Sequence, residues 1–178
     1  MEETLKIERA WSMPSSRTFS IRPIRGLIDR YESECRDVGT GPIIDPFSNG
    51  CRIADVTNDI DPSVDADRHD DATEFLRSFR DASVGMVLYD PPYSPRQVSE
   101  CYRRLGRTVD MKTTQASYWA RQKDEIARVV APGGYVITCS WNSGGIGITR
   151  GFEIVEVLIV CHGGWYNDTI CVVDRKVV

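Results

Sequence analysis

Apolar residues in PIRGLIDRYESEC fall at Ile24, Leu27, Ile28 and Tyr31, spacing that predicts a helix over 23–35 with Pro23 in its first turn. GPIIDPFSNG (41–50) then opens with a short apolar strand ending at Asp45. CRIADVTNDIDP (51–62) reads as a turn or helix remnant followed by a second strand ending near Asn58-Asp59. Ala72, Phe75, Leu76 and Phe79 form one helical face over 71–80. VGMVLYD (84–90) is a continuous apolar strand, the pattern of a parallel strand buried on both faces. Two more helices are predicted over 94–106 and 118–134, the second carrying Trp119, Ile126, Val129 and Val130 and stopping at Pro132-Gly133-Gly134. YVITCSW (135–141) is a further strand, and the two β-rich runs around WYND read as a terminal hairpin. Residues 1–20 carry no clear period; SMPSSRTFS within them reads as loop, and 1–16 as loosely ordered.

Strands alternating with helices predict an α/β fold with a doubly wound, mostly parallel sheet, closed by an antiparallel C-terminal hairpin. On such a sheet ligands bind outside the carboxyl ends of the strands. Asp45, Asp59 and Asp90 end predicted strands and Asp71 starts a helix, so all four belong to one rim.

Composition narrows this picture only a little. The 178 residues suit a single domain that buries roughly 70% of its unfolded surface and needs no disulfide or metal staple. A net charge of −4 argues against a nucleic-acid binder that uses its whole surface, but leaves a local basic face open. Of 22 basic residues 18 are Arg, which bulk composition accounts for without any function. The six cysteines form no CxxC pair and no His-plus-Cys cluster at zinc spacing, so no metal site is expected. Several sit in apolar runs, which suits buried free thiols in a reducing cytoplasm. With no signal peptide and no long apolar run, the expectation is a soluble cytoplasmic protein with no membrane partner.

The candidate chemistry centres on DPPY, Asp90 to Tyr93. Each proline fixes φ and lacks an N–H, so the turn is stiff and its carbonyls stay out of a helix ladder. Asp90 adds an acceptor-only carboxylate, and Tyr93 a flat face on which a planar base can stack. Together they suit an exocyclic amino group on a base taken out of its stack. The same residues also suit a strand ending in a proline turn with a capping aspartate. IIDPFSNG places an acid and a tight turn after the first strand, without the full G-x-G-x-x-G of a dinucleotide site. Asp59 falls where an acid binds a ribose hydroxyl pair, whereas Asp61, Asp65, Asp67 and Asp70 read as a solvated charge run.

DPFSNG, NDIDP, DATEFL, DPPYS, RVVAPGG and HGGWYNDTI together resemble the S-adenosylmethionine-dependent amino-methyltransferases, most of all small phage or bacterial adenine-specific DNA methylases. The resemblance spans about residues 17–176 and implies a Rossmann-like methyltransferase sheet. It implies S-adenosyl-L-methionine as cofactor and no metal. The chain reads as one catalytic domain over 1–178, and it departs from the family in that no segment looks like a separate target-recognition domain, which leaves only the loops at 94–117 and 141–150 for that role. It also implies methyl transfer to adenine N6 in DNA by Asp90, Pro91, Pro92 and Tyr93. The cofactor would be held by Asp45, Pro46 and Phe47 at its methionine part, Asp59 at its ribose, and Asp71 and Ala72 at its adenine. TFSIRPIRGLI is similar to the family's T-x-K-P segment, with Ser20 for the threonine and Arg22 for the lysine against the cofactor carboxylate. RNA as the methyl acceptor, and a non-catalytic cofactor-binding subunit, are the alternatives. A homodimer would supply so small a chain with a second face. Arg96, Arg103, Arg104, Arg107 and Lys112, against Glu100 and Asp110, form the strongest basic cluster and the expected nucleic-acid contact. Trp141 and Asn142 fall near the rim. His162 and Asp168 belong to the hairpin turn and not to a Ser/His/Asp triad, since no G-x-S-x-G elbow exists.

Overall fold

A computed structural model describes residues 4–106 and 117–177. Seven strands form one sheet in the order β1-β6-β7-β5-β4-β2-β3: β1 (Lys6–Trp11), β2 (Ile43–Asp45), β3 (Val56–Thr57), β4 (Val84–Tyr89), β5 (Val130–Ser140), β6 (Phe152–Cys161) and β7 (Thr169–Lys176). All neighbours are parallel except β7, which runs against both β5 and β6. This is the mostly parallel α/β sheet with antiparallel C-terminal strands that the patterning predicts, in the Rossmann-like form that the resemblance implies.

Helices cover both faces. α1 (Arg22–Val38) lays Ile24, Leu27 and Ile28 on one side, and Gly39 ends it in the left-handed region at φ +69°. α2 (Ala72–Arg77) and α4 (Ser117–Val129) cover the other side with Phe75, Leu76, Ile126 and Val129, while α3 (Pro95–Arg104) packs Val98 and Tyr102 against Tyr118. β4 shows why a continuous apolar run is needed: Met86 and Leu88 point into the α1 core, Val87 and Tyr89 into the opposite one.

The chain leaves β2 toward β3 on one side and returns to β4 on the other. The strand order therefore reverses between β2 and β4, and no crossover can cover the crevice at their carboxyl ends.

Three parts of the pattern reading are corrected. β1 is a strand, parallel to β6, although nearly all of it is exposed and no apolar period marks it. Buried Glu156 on β6 ties it to α1, accepting from Lys6 Nζ at 3.1 Å, Arg30 at 2.6 Å and the Tyr31 hydroxyl at 2.9 Å. Because β1 takes the outer edge, the C-terminal pair is interior to the sheet. The last long helix stops at Val129, not at the Pro-Gly-Gly: Val130 already pairs with Val84, and Pro132-Gly133-Gly134 bulge out before Tyr135 pairs with Met86.

At the bulge the backbones approach too closely for side chains. A Cβ on Gly85 would lie 2.6 Å from the Gly41 carbonyl oxygen and 2.8 Å from Thr40 Oγ1, whereas one on Gly26 in α1 would meet nothing within 4 Å. Gly85→Ala should therefore cost about 1–3 kcal/mol in urea unfolding. Gly26→Ala should instead gain about 0.5–1 kcal/mol.

Candidate active site

A cleft of about 470 Å³ opens at the carboxyl ends of β2, β3 and β4, with Pro46, Phe47, Asp59, Ala72, Asp90 and Tyr93 among its walls. Its floor is a set of turns that bind each other. After Asp45 the chain folds back so that the Phe47 amide donates to Asp45 Oδ1 at 2.9 Å, and Asn49 and Gly50 adopt φ +44° and +74°. Asp59 fixes this turn from the next strand end: its Oδ2 accepts from the Asn49 amide at 3.0 Å and its Oδ1 from the Asp61 amide at 2.9 Å. Buried Asn58 joins three segments, donating to the Pro46 and Asp70 carbonyls at 3.1 and 3.0 Å and accepting from the Asp70 amide at 2.9 Å. Asp71 caps α2 through the Thr73 amide at 2.9 Å and accepts the Tyr102 hydroxyl at 2.7 Å, so α3 leans on the same rim.

The Asp90–Tyr93 turn is the opposite wall. The Pro92 carbonyl accepts from Trp119 Nε1 at 2.9 Å, the Tyr93 amide donates to Gln97 Oε1 at 2.6 Å, and Ser94 caps α3. Among the described residues the Pro91 carbonyl accepts no hydrogen bond. The Tyr93 hydroxyl reaches back to Asp90 Oδ1 at 2.5 Å, and the Thr18 hydroxyl also bonds Asp90. Loss of solvation pushes the Asp90 carboxyl up to about 6, and the bonds from Thr18 and Tyr93 counter part of that rise. Burial likewise raises Asp45 well above the usual carboxylate range; the Phe47 amide opposes this, and the nearby Asp90 and Asp59 charges add to it.

Tyr93 and Thr18 also wall a second hollow of about 300 Å³, whose other side carries Trp141, Trp165 and Tyr166. Trp141 meets Tyr93 edge-on, with ring centroids 5.4 Å apart. The loop after Trp141 is anchored below: buried Asp174 accepts the Ile146 amide at 3.1 Å, and Lys123 donates to the Gly145 carbonyl. Burial pushes the Asp174 carboxyl up to about 7.

The residues expected from the sequence are therefore largely gathered. Pro46, Phe47, Asp59, Asp71, Ala72, Asp90, Pro91, Pro92 and Tyr93 line the cleft, and Asp45 lies beneath it. Ser20 and Arg22 do not line it. Ser20 is exposed and donates to the Arg17 carbonyl at 2.7 Å, and Arg22 begins α1 and faces a groove beside β1. The helix starts immediately after Ile21, which turns both side chains outward. Ser16 and Thr18 line the cleft in their place, and the Arg17 guanidinium reaches the Gly50 turn. Thr18 opens the same TFS segment in which Ser20 is expected, and Ser16 and Arg17 lie just before it.

On α3, Arg96 pairs with Glu100 at 2.8 Å and Arg104 with Asp61 at 3.5 Å, while Arg103 is exposed and, among the described residues, has no carboxylate within salt-bridge distance. Arg107, Asp110 and Lys112 lie outside the described residues. In the expected solvated run, Asp67 is structural: it accepts from the Thr57 amide and hydroxyl and from Arg52, which hold its carboxyl down at about 2. His162 is buried, with Nδ1 on the Ser12 carbonyl and Nε2 on the Thr169 hydroxyl, both at 2.8 Å. A carbonyl can only accept, so Nδ1 is the donor in this clamp.

No protein-family model matches this sequence, and no curated protein does. Solved structures do match. A Thermus thermophilus protein provisionally described as a DNA modification methylase is 19% identical over 60% of this chain, at a TM-score of 0.40; the chain spans 50% of its length. Burkholderia thailandensis 1,6-didemethyltoxoflavin-N1-methyltransferase, solved with 1,6-didemethyltoxoflavin and S-adenosylhomocysteine, is 8% identical, with 94% of this chain and 92% of that one covered and a TM-score of 0.44. TrmN from Thermus thermophilus is 12% identical, with 97% and 71% covered and a TM-score of 0.47. Identities this low speak to fold alone, and the fold here stands on the strand order and register given above.

The Asp90 environment makes a direct prediction. Tyr93→Phe removes a hydrogen bond that favours the carboxylate, so Asp90 should titrate above the value near 6 of the parent protein. Carbon-13 carboxyl titration by NMR reads this, and an unchanged or lower midpoint would show that the Tyr93 bond does not control the site.

Proposed function

We propose that the protein transfers a methyl group from S-adenosyl-L-methionine to the N6 amino group of adenine in DNA. One observation carries the reading: the Asp45–Asn49 turn and the Asp90–Tyr93 turn face each other across a single cleft at the strand-order reversal. The cofactor supplies an activated methyl group. The donor set suits it. Asp59 spends one lone pair of each oxygen on an amide and keeps the others for a ribose hydroxyl pair. Ala72 and Ile60 offer apolar walls to a purine, with Asp71 beside them. The cleft volume falls within the range for nucleoside-sized ligands. Arg17, and not Arg22, is the cation near the Gly50 turn, where the methionine carboxylate would lie.

Asp90 and the Pro91 carbonyl are the acceptors for the two amino hydrogens of a base taken out of its stack. The Trp119 bond to the Pro92 carbonyl holds the turn while leaving Pro91 open. A carboxylate offers four lone-pair directions, so Asp90 can keep Tyr93 on one oxygen and take the amine on the other. Drawing on both N–H bonds aims the nitrogen lone pair at the methyl carbon. With the cofactor held there, the nitrogen–carbon bond would form as the carbon–sulfur bond breaks, and Asp90 would take the surplus amino proton. Most of the rate comes from orientation and fixed dipoles.

Asp90→Ala should lower label transfer from methyl-labelled S-adenosylmethionine to DNA by about a thousandfold or more, the scale of losing a preorganised acceptor. Cofactor affinity should stay within a few-fold of the parent's. Turnover retained in this variant removes the assignment, and transfer to RNA but not to DNA moves the substrate. The pH profile carries a sign. Asp90 can take up the surplus amino proton only as the carboxylate, so kcat/KM should fall about tenfold per pH unit below about 6 and be flat above it. A kcat/KM flat from about pH 5 to 8 would contradict the role of Asp90.

A further inference from the structure

Most arginines of this acidic chain are consumed by its own carboxylates, as in Arg36 with Asp55, Arg52 with Asp67 and Arg128 with Asp81. Arg9 and Arg22 are exposed and, like Arg17, Arg80 and Arg103, have no carboxylate within salt-bridge distance among the described residues; what sets these two apart is that they share a groove. They line one groove of about 490 Å³ beside Trp11, whose indole is 66% exposed.

That groove leads to the catalytic turn along an aromatic path. Trp11 lies against the β6–β7 turn at Gly163, and the turn presents Trp165 fully exposed and Tyr166 at 61%. These two rings and Trp141 wall the second hollow, which shares Tyr93 and Thr18 with the cleft. The buried His162 imidazole, bonded to Ser12 on one side and Thr169 on the other, locks the segment after β1 to the base of the turn. The backbone that carries these rings is thus held at its base. Exposed aromatic faces next to unneutralised guanidinium groups are what an unpaired strand needs: rings for its bases, cations for its phosphates. A duplex hides its base faces and could not use the rings.

Resting on the methyltransferase reading above, we infer that this surface is the track for the single-stranded DNA that flanks the target adenine. Trp165, Tyr166 and Trp141 stack its bases, and Arg9 and Arg22 hold its phosphates. The target base reaches Asp90 past Tyr93.

Fluorescence anisotropy with a labelled single-stranded oligonucleotide of about 12 nucleotides, the matching duplex and the matching RNA tests this on the full chain. The single-stranded DNA should bind at least tenfold tighter than the duplex. The double variant Trp165→Ala, Tyr166→Ala should weaken it by roughly ten- to a hundredfold, the loss expected from two stacking rings. Both rings are exposed, so the thermal unfolding curve should not move. Arg9→Ala with Arg22→Ala should lower the slope of log affinity against log salt by about 1.4, the release from two phosphates on a single strand. Arg80→Ala, an exposed arginine away from the track, should change neither. Equal binding of duplex, tighter binding of RNA, or full affinity in the aromatic double variant each overturns the proposal. Its failure is separable from that of the methyl-transfer reading: strand binding with these sensitivities but no label transfer sinks only the latter, and transfer with insensitive binding sinks only the former.

Discussion

The arrangement depends on the reversal of strand order between β2 and β4. Two parallel strands lie side by side while the chain departs from them in opposite directions, so their carboxyl ends share a crevice that no connection can cover. Asp45 ends one strand and Asp90 follows the other, and each begins a turn stiffened by proline. Everything else at the rim braces those two turns. Asn58 and Asp59 hold the first from the neighbouring strand end, and Trp119, Gln97 and Thr18 hold the second.

This bracing has an electrostatic consequence. Asp45, Asp59 and Asp90 converge, and two of them have lost much of their hydration, so both are driven toward protonation. Asp90 is kept near 6 because two hydroxyl groups donate to it. A carboxyl that titrates just below neutrality is a strong acceptor at the pH of a cell and can take a proton in passing. The same two donors, Thr18 and Tyr93, form the wall between the cleft and the aromatic hollow. One pair of side chains thus tunes the charge of Asp90 and separates the two chambers that flank it.

The sequence made much of this legible, for identifiable reasons. The run at 84–89 can be satisfied only by a strand packed on both faces, and the helical stripes at 24–31 and 72–79 supply the two covering layers. Strand-end acids follow from that topology, so Asp45, Asp59, Asp71 and Asp90 could be placed on one rim before any coordinates. What escaped had weak or misleading local signals. β1 is an exposed edge with no period to detect, and its partner β6 lies about 150 residues away in sequence. Val129 and Val130 are apolar in both helix and strand, so the point where α4 becomes β5 is set by pairing with Val84 and not by composition. Which residues of TFSIRP face the cleft depends on where α1 begins, and a shift of two residues exchanges Thr18 for Ser20. The pairing of Arg104 escaped because its partner, Asp61, is remote in sequence.

In the proposed reading the two turns grip one nucleoside cofactor between them, with its sulfur toward Asp90. A crystal structure grown with S-adenosylhomocysteine decides this. The ribose should lie on Asp59, the purine beside Ala72 and the sulfur toward the Asp90–Tyr93 turn. Ligand seated elsewhere, or a cleft that stays empty at saturating concentration, would refute it.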